Sequence, residues 1–213
     1  MKIDSHVHYW HFISADYGWM GENMTVIKRD FLPADLLPEL SSINFDGSVA
    51  VQARQSLEET NWLLQLADEH PHIKGVVGWL DLQSEQADEQ IAAFAKHPKA
   101  VGVRHVIHDE EDIDFMLRPA FIRGVKLIEK YNLAYDILIF PKHLTNTIEF
   151  VKQFSEQQIF VVDHIAKPLI KDGILSPWKE QIAELAKFPN VYCKISGMVT
   201  EADWNTWKPE NIK

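Results

Sequence analysis

The sequence predicts an α/β barrel, a (β/α)8 fold in a single domain over residues 1–213. Short apolar runs alternate with longer amphipathic stretches along the whole chain, as in repeated βα units around a parallel sheet. Polar or charged side chains end most of the apolar runs. The first run leads into a glycine-poor aromatic segment, whereas a doubly wound nucleotide-binding sheet, the alternative fold, usually has glycines at that turn. These three observations favour the barrel.

Seven apolar runs are the predicted strands, because each has the length of a buried strand. In order they are Ile3–Trp10, Gly47–Ala53, Gly75–Leu82, Ala100–Ile107, Ala134–Phe140, Ile159–Ala166 and Val191–Gly197. A closed barrel needs an eighth strand. We therefore expect the eighth βα unit to be missing from this chain, and the two exposed sheet edges to favour a homodimer.

Amphipathic segments between the runs are the predicted helices. They are Pro33–Ile43, Glu58–Glu69, Glu85–Lys96, Arg118–Tyr131, Lys142–Phe154 and Pro177–Phe188. A proline closes three of them, at His70-Pro71, His97-Pro98 and Phe188-Pro189, because the residue before proline is pushed out of helical geometry. No Gly/Ser-rich or low-complexity stretch marks a domain boundary.

The charge balance excludes several classes of partner. Thirty-one acidic residues against 21 Lys and Arg give a formal charge of −10, which repels nucleic acid and anionic membranes. A single cysteine, Cys193, allows no intrachain disulfide, and the N-terminus has no apolar signal segment. We expect a cytoplasmic protein that binds a small molecule and neither nucleic acid nor membrane.

Two histidines on the first predicted strand are the first candidate site residues. Side chains alternate along a strand, so His6 and His8 point the same way, together with Asp4. Both imidazoles can then present nitrogen to one metal ion or to one substrate oxygen. The simpler interpretation, that both rings are only solvated or hydrogen-bonded, stays open for an isolated His-x-His.

Other strands also end in polar side chains, although charged groups are costly to bury unless they are paired or used. In a barrel these ends meet at one mouth, where active sites lie. We expect His6, Gln52, Arg54, Arg104 and His164 around one cavity. Trp79 is a candidate apolar wall and Lys194 a further polar contact. The arginines also fit ordinary ion pairs, and Lys194 also fits a solvated position at the rim.

Four motifs together resemble the amidohydrolase 2 family. They are Asp4-Ser5-His6-Val7-His8-Tyr9-Trp10, Val51-Gln52-Ala53-Arg54-Gln55, Gly102-Val103-Arg104-His105 and Asp163-His164-Ile165-Ala166-Lys167-Pro168. They occur in order along the chain, and within the family they are most similar to sugar-lactone hydrolases of the L-fuconolactonase and L-rhamnonolactonase type.

The resemblance implies a (β/α)8 barrel that hydrolyses a lactone of a sugar acid. It implies that His6 and His8 hold a divalent metal such as zinc, with further ligands from the fifth and eighth strands. The fifth strand here has no histidine, only Asp136, so we expect any metal to be weakly held or dispensable. His6, His8 and His164 are then the catalytic residues, with His164 transferring the proton.

From their places at the strand ends, we expect the substrate to be bound by Gln52, Arg54, Trp79, Arg104 and Lys194, with the planar donor forks of the arginines on its hydroxyl groups or carboxylate. Two other functions stay open. One is a hydrolase or decarboxylase of the same superfamily that acts on an aromatic or dicarboxylate substrate. The other is a non-catalytic paralogue that binds sugar acids.

Overall fold

The structure is a computed structural model that describes residues 1–212. Residue contacts divide the chain into two compact units. The first unit consists of residues 1–80 and 94–102, and the second of residues 81–93 together with residue 103 onward. The predicted single domain therefore stays a prediction, and each unit is described by itself.

The first unit contains three parallel strands with helices between them. Its elements are β1 (Ile3–Val7), a 3-10 helix (Glu22–Ile27), α1 (Pro33–Ser42), β2 (Gly47–Val51), α2 (Leu57–Glu69) and β3 (Ile73–Gly78). In the sheet, β2 lies between β1 and β3. Helix α2 begins where the Ser56 hydroxyl accepts the backbone N–H of Glu59 at 3.3 Å. It packs against β3, burying Leu63 and Ala67.

Helix α3 (Ala87–Ala95) and strand β4 (Ala100–Val106) contribute residues to both units. The second unit continues with short 3-10 helices, three strands and four further α-helices. In order they are Ile107–Asp109, Phe115–Leu117, α4 (Pro119–Glu129), β5 (Ala134–Leu138), Pro141–His143, α5 (Leu144–Val151), β6 (Phe160–Val162), Asp163–Ala166, α6 (Trp178–Leu185), β7 (Val191–Cys193), α7 (Met198–Glu201) and Pro209–Ile212. Strand β6 pairs in parallel with both β5 and β7.

Aromatic side chains form the centre of the second unit. Phe121 of α4, Tyr135 of β5 and Phe150 of α5 are fully buried, with ring centroids 5.9 to 6.2 Å apart. Phe160 of β6 joins them, 5.7 Å from Phe150 in an edge-to-face arrangement. Such pairs add to the burial of their large apolar surface. This cluster fixes helices α4 and α5 on the strands whose ends carry polar residues.

Strands alternate with helices in the predicted order, so the α/β class with parallel pairing is confirmed. Several predicted strands are too long, however. Strand β1 ends at Val7 because Trp10 leaves the ladder and exchanges backbone hydrogen bonds with Phe31. Strand β6 ends at Val162, where the chain turns sharply, and β7 ends at Cys193. Strand β3 begins and ends earlier than predicted, at Ile73 and Gly78.

None of the helices in the described part of the chain combines the length and the apolar character that a membrane span requires.

Candidate active site

His6 and His8 lie side by side at the carboxyl end of β1. Their Nε2 atoms are 3.1 Å apart, and the rings meet edge to face with centroids 4.8 Å apart. Asp4 accepts the backbone N–H of His6 at 3.1 Å, which holds the strand end in place. Both rings are half-buried. The two imidazoles therefore approach each other through their Nε2 atoms.

The neighbouring strand fixes the tautomer of His8. Its Nδ1 atom lies 2.8 Å from the carbonyl oxygen of Val51, the last residue of β2. A carbonyl oxygen only accepts, so Nδ1 carries the proton, and in the neutral ring Nε2 presents its lone pair toward His6.

This arrangement fits a divalent metal. Zn–N bonds of about 2.0–2.1 Å in tetrahedral geometry place two ligand nitrogens about 3.3 Å apart, close to the observed 3.1 Å between the Nε2 atoms. A backbone carbonyl on the other ring nitrogen is also the usual outer contact of a zinc-bound histidine. His6 and His8 are therefore suited to supply two of the ligands.

Three predicted substrate-binding residues lie just beyond the strands of the first unit. Gln52 follows β2 and is fully buried, and its backbone N–H donates to Val77 at 2.8 Å. Arg54 is paired with Asp16 at 3.2 Å. Trp79 directly follows β3 and is half-buried. Their role in substrate binding stays a prediction.

Four charged side chains of the second unit, two within strands β4 and β5 and two just after β6 and β7, form a buried charge cluster. Arg104 Nη1 lies 2.9 Å from Asp163 Oδ2, and Lys194 Nζ lies 2.9 Å from Asp163 Oδ1. Lys194 also pairs closely with Asp136. None of the four side chains is more than 10% exposed. Two positive and two negative groups balance within the cluster, as buried charges require.

Burial raises the pKa of Asp136 to about 6. The negative charge of Asp163 acts in the same direction, whereas Lys194 and Arg104 lower this pKa without offsetting the loss of solvation. Arg104 and Lys194, which the sequence predicts to bind substrate, thus both contact carboxylates of the chain itself. Their role in substrate binding stays a prediction.

The chain turns left-handed immediately after Asp163. His164, Ile165, Ala166 and Lys167 all have positive φ, between 47° and 56°. This conformation costs an L-residue about 1–2 kcal/mol, and for a β-branched residue such as Ile165 it is exceptional. Such strain persists only where the surroundings enforce it, and it clusters at functional sites. We call residues 164–167 the left-handed turn.

Hydrogen bonds to neighbouring segments hold this turn. The Ile165 N–H donates to the carbonyl oxygen of Lys194 at 3.2 Å, and the Trp178 indole N–H donates to the carbonyl oxygen of Ile165 at 2.7 Å. Lys167 Nζ pairs with Glu201 at 2.8 Å. Several separate contacts therefore enforce one backbone conformation.

The His164 ring is fixed by the segment that follows β7. Its Nδ1 atom lies 2.8 Å from the Ser196 hydroxyl oxygen. Gly197 has φ +70°, and a Cβ atom there would lie 2.8 Å from His164 Cβ. A ring nitrogen of His164 also lies within 4.8 Å of an Asp163 carboxylate oxygen. The bend after β6 thus brings together two neighbours that an extended strand would place on opposite faces.

Sequence reasoning missed several of these residues. Ser196 lies two positions after Lys194, the spacing that puts two side chains on one face of a strand, and this spacing was the available signal. No comparable signal marked Trp178 or Gly197, because their contacts with the left-handed turn are tertiary. The prediction that residues of both units surround one cavity stays a prediction.

Comparisons with known proteins identify the family. The Amidohydro_2 (amidohydrolase) family model matches residues 3–213. A curated L-fucono-1,5-lactonase of Burkholderia multivorans is 39% identical over 210 residues, which cover 96% of this chain and 70% of that protein. Another, from Burkholderia ambifaria, is 37% identical over 94% of this chain and 69% of its own length.

A solved structure agrees with these sequence matches. The crystal structure of an amidohydrolase from Burkholderia multivorans with bound zinc aligns with a TM-score of 0.94 and 38% identity, covering 99% of this chain and 75% of that one. The fold class predicted from the sequence is thereby confirmed. From the family match and the level of identity, the chain belongs to the amidohydrolase family.

Proposed function

We propose that this protein hydrolyses the lactone ring of a sugar acid, an aldonolactone such as L-fucono-1,5-lactone. The observation that carries the proposal is the 39% identity to a curated L-fucono-1,5-lactonase over 96% of this chain. The side chains at the strand ends supply the groups that such a reaction needs.

Lactone hydrolysis has two steps that need help from the protein. Water attacks the carbonyl carbon, and negative charge develops on the carbonyl oxygen. The bond between that carbon and the ring oxygen then breaks, and the leaving ring oxygen takes a proton to become a hydroxyl group. The product is the open-chain sugar acid. A group that holds the carbonyl or the water and a group that moves protons are therefore required.

His6 and His8 are the groups proposed to hold the substrate carbonyl or the attacking water. The Val51 carbonyl keeps the proton of His8 on Nδ1, so Nε2 stays available as an acceptor or ligand. A zinc ion held by these imidazoles would supply Lewis acidity, polarising the carbonyl and lowering the pKa of the attacking water. The two rings orient the reacting oxygen by their fixed positions.

His164 is the proposed proton-transfer group. Its Nδ1 contacts a serine hydroxyl, which accepts a hydrogen bond from a protonated Nδ1 and donates one to an unprotonated Nδ1. The ring therefore keeps this partner in either protonation state. Nε2 then exchanges the proton with the reacting groups, as a general acid and base requires.

The test is a pH-indicator assay of the purified protein on a panel of lactones. We expect turnover of L-fucono-1,5-lactone or L-rhamnono-lactone, with release of one proton per ring opened. An aromatic or dicarboxylate lactone serves as the comparison substrate. Preference for that lactone would contradict the sugar-lactone proposal, and binding of sugar acids without any turnover would indicate a non-catalytic protein.

We expect zinc to be weakly held. His6 and His8 supply two ligands and β5 has no histidine, whereas protein zinc sites normally have at least three protein ligands. After dialysis against a chelator, elemental analysis should find well below one equivalent of zinc. Retention of a full equivalent would contradict this expectation.

Gly197 is expected to be essential for the position of His164. In Gly197→Ala the new Cβ would lie 2.8 Å from His164 Cβ and 3.0 Å from Cγ, so the histidine must shift. A misplacement of about 1 Å costs about 100-fold in rate. We expect kcat/KM for the lactone to fall by that order.

Gly173→Ala is the matched control for this variant. Gly173 also has positive φ, +66°, but a Cβ there meets no atom within 4 Å. Both variants carry the backbone cost of a left-handed alanine, and only Gly197→Ala disturbs His164. Equal activities of the two variants would show that His164 does not depend on Gly197.

A further inference from the structure

A cavity of about 200 Å³ lies in the first unit, beside the carboxyl ends of β1 and β2. Its lining residues are His11, Ile13, Tyr17, Arg54, Glu58, Glu59 and Trp62. The cavity lies at the same strand ends as His8. Arg54, which lines the cavity, follows β2, and His8 hydrogen-bonds Val51, the last residue of β2. Two hydrogen bonds hold the turn after β2, since Glu59 Oε2 accepts the backbone N–H groups of Ala53 and Arg54 at 3.0 and 2.8 Å.

Arg54 and Asp16 supply a half-buried ion pair at this cavity. Arg54 Nη1 lies 3.2 Å from Asp16 Oδ2, and the two side chains are 33% and 26% exposed. The pair occupies one nitrogen of a guanidinium that has five N–H donors. No other side-chain bond of Arg54 is formed with residues 1–212. Donors and acceptors therefore remain for a ligand.

Tyr17 and Trp62 add two further donors. Tyr17 is only 3% exposed, and neither its hydroxyl group nor the Trp62 indole N–H bonds to any residue in the described range. Burial, with the negative charge of Glu59, raises the pKa of Tyr17 to about 12, so its hydroxyl remains a donor at neutral pH. Buried Tyr and Trp usually find a hydrogen-bond partner, and a ligand would provide it here.

The charge of the cavity selects the kind of ligand. Among the described residues at the cavity, Asp16, Glu58 and Glu59 carry negative charge, and Arg54 is the one arginine or lysine. A further carboxylate brought in by a ligand would be repelled, whereas hydroxyl groups would find both donors and acceptors. The exposed part of the Trp62 ring offers an apolar face for sugar C–H groups.

We propose that this cavity is a subsite for the hydroxyl-bearing carbons of a neutral sugar lactone, and that it disfavours the sugar acid formed by hydrolysis. The proposal rests on the proposed function. It gives Arg54 a specific role, in which Arg54 binds hydroxyl groups of the substrate jointly with Asp16.

Tyr17→Phe tests the subsite through substrate selectivity, because it removes one donor and retains the ring. Loss of one neutral hydrogen bond corresponds to about a 3- to 10-fold change. We expect kcat/KM for L-fucono-1,5-lactone to fall by that factor and kcat/KM for δ-valerolactone, which has no hydroxyl groups, to stay within about twofold. The matched control is Tyr131→Phe, since within residues 1–212 the Tyr131 hydroxyl bonds only Asp88, on the surface. An equal loss on both lactones, or no loss on either, would overturn the proposal.

A binding measurement keeps the subsite testable if no lactone is hydrolysed. Tryptophan fluorescence would be titrated with L-fucose, a neutral sugar, and with L-fuconate, the corresponding acid anion. We expect L-fucose to bind about tenfold more tightly, and the signal to disappear in Trp62→Phe but to persist in Trp19→Phe. Equal or tighter binding of the anion, or an unchanged signal in Trp62→Phe, would overturn the subsite. Binding as expected without hydrolysis would support the subsite and contradict only the proposed reaction.

Discussion

His8→Ala is expected to lower kcat/KM for a sugar lactone by about 10³-fold or more. The substitution removes the ring whose Nε2 lies 3.1 Å from that of His6, and with it one of the two imidazoles that orient the reacting oxygen. Loss of a positioned acid–base group alone costs about 10²–10⁴-fold. Zinc content should fall as well, because removing a ligand weakens the metal site.

Kinetics and elemental analysis of the same preparation check both expectations. His97→Ala is the matched control, since His97 belongs to the same unit and, in the described part of the chain, its ring pairs only with the exposed Asp68 and with its own loop. Its kcat/KM should stay within about twofold. Wild-type activity in His8→Ala would remove the histidine pair from the mechanism and leave His164 as the remaining candidate.

Asp163→Ala is expected to destabilise the fold by about 3–5 kcal/mol. Asp163 is fully buried and is the shared partner of Arg104 and Lys194. Without it, two buried cations would face the single carboxylate of Asp136. Removing one partner of a buried pair carries a cost of this size because the other charge is left without compensation.

Urea denaturation measures the effect as a shift of the midpoint at constant slope. Glu149→Ala is the matched control, because it also removes one carboxylate, here from an exposed pair with Lys152. Exposed pairs contribute about 0–1 kcal/mol, so this variant should change little. If the two variants lost equal stability, the charge cluster would not be a determinant of folding.

The order of strands and helices could be predicted from the sequence because it depends on local periodicity. Strands β2, β4 and β5 begin at the predicted residues, Gly47, Ala100 and Ala134. The end of β6 could not be predicted. Ile165, Ala166 and Lys167 are not residue types that favour left-handed geometry, so the apolar run predicts a longer strand. Contacts with Lys194, Trp178 and Glu201, all distant in sequence, determine the turn.

The polar strand ends were visible in the sequence, but their partners were not. The His6–His8 pair follows from strand alternation, and the structure places the rings together. The pairing of Arg54 with Asp16 was hidden, because Asp16 lies in an irregular segment after β1 with no periodic pattern. Likewise, the sequence showed only that Asp136 lies early in β5. Its contact with Lys194 depends on how the strands pack.

The charge cluster also has a consequence for how the strands align. It takes Arg104 from β4, Asp136 from β5, Asp163 from the residue after β6 and Lys194 from the residue after β7. Because successive side chains point to opposite faces, a slip of any of these strands by one residue would turn its charged group away from the others. The misplaced charge would then be buried without a partner, at a cost of several kcal/mol. The cluster therefore helps to specify the strand register, because it destabilises misaligned sheets that the apolar residues alone would tolerate.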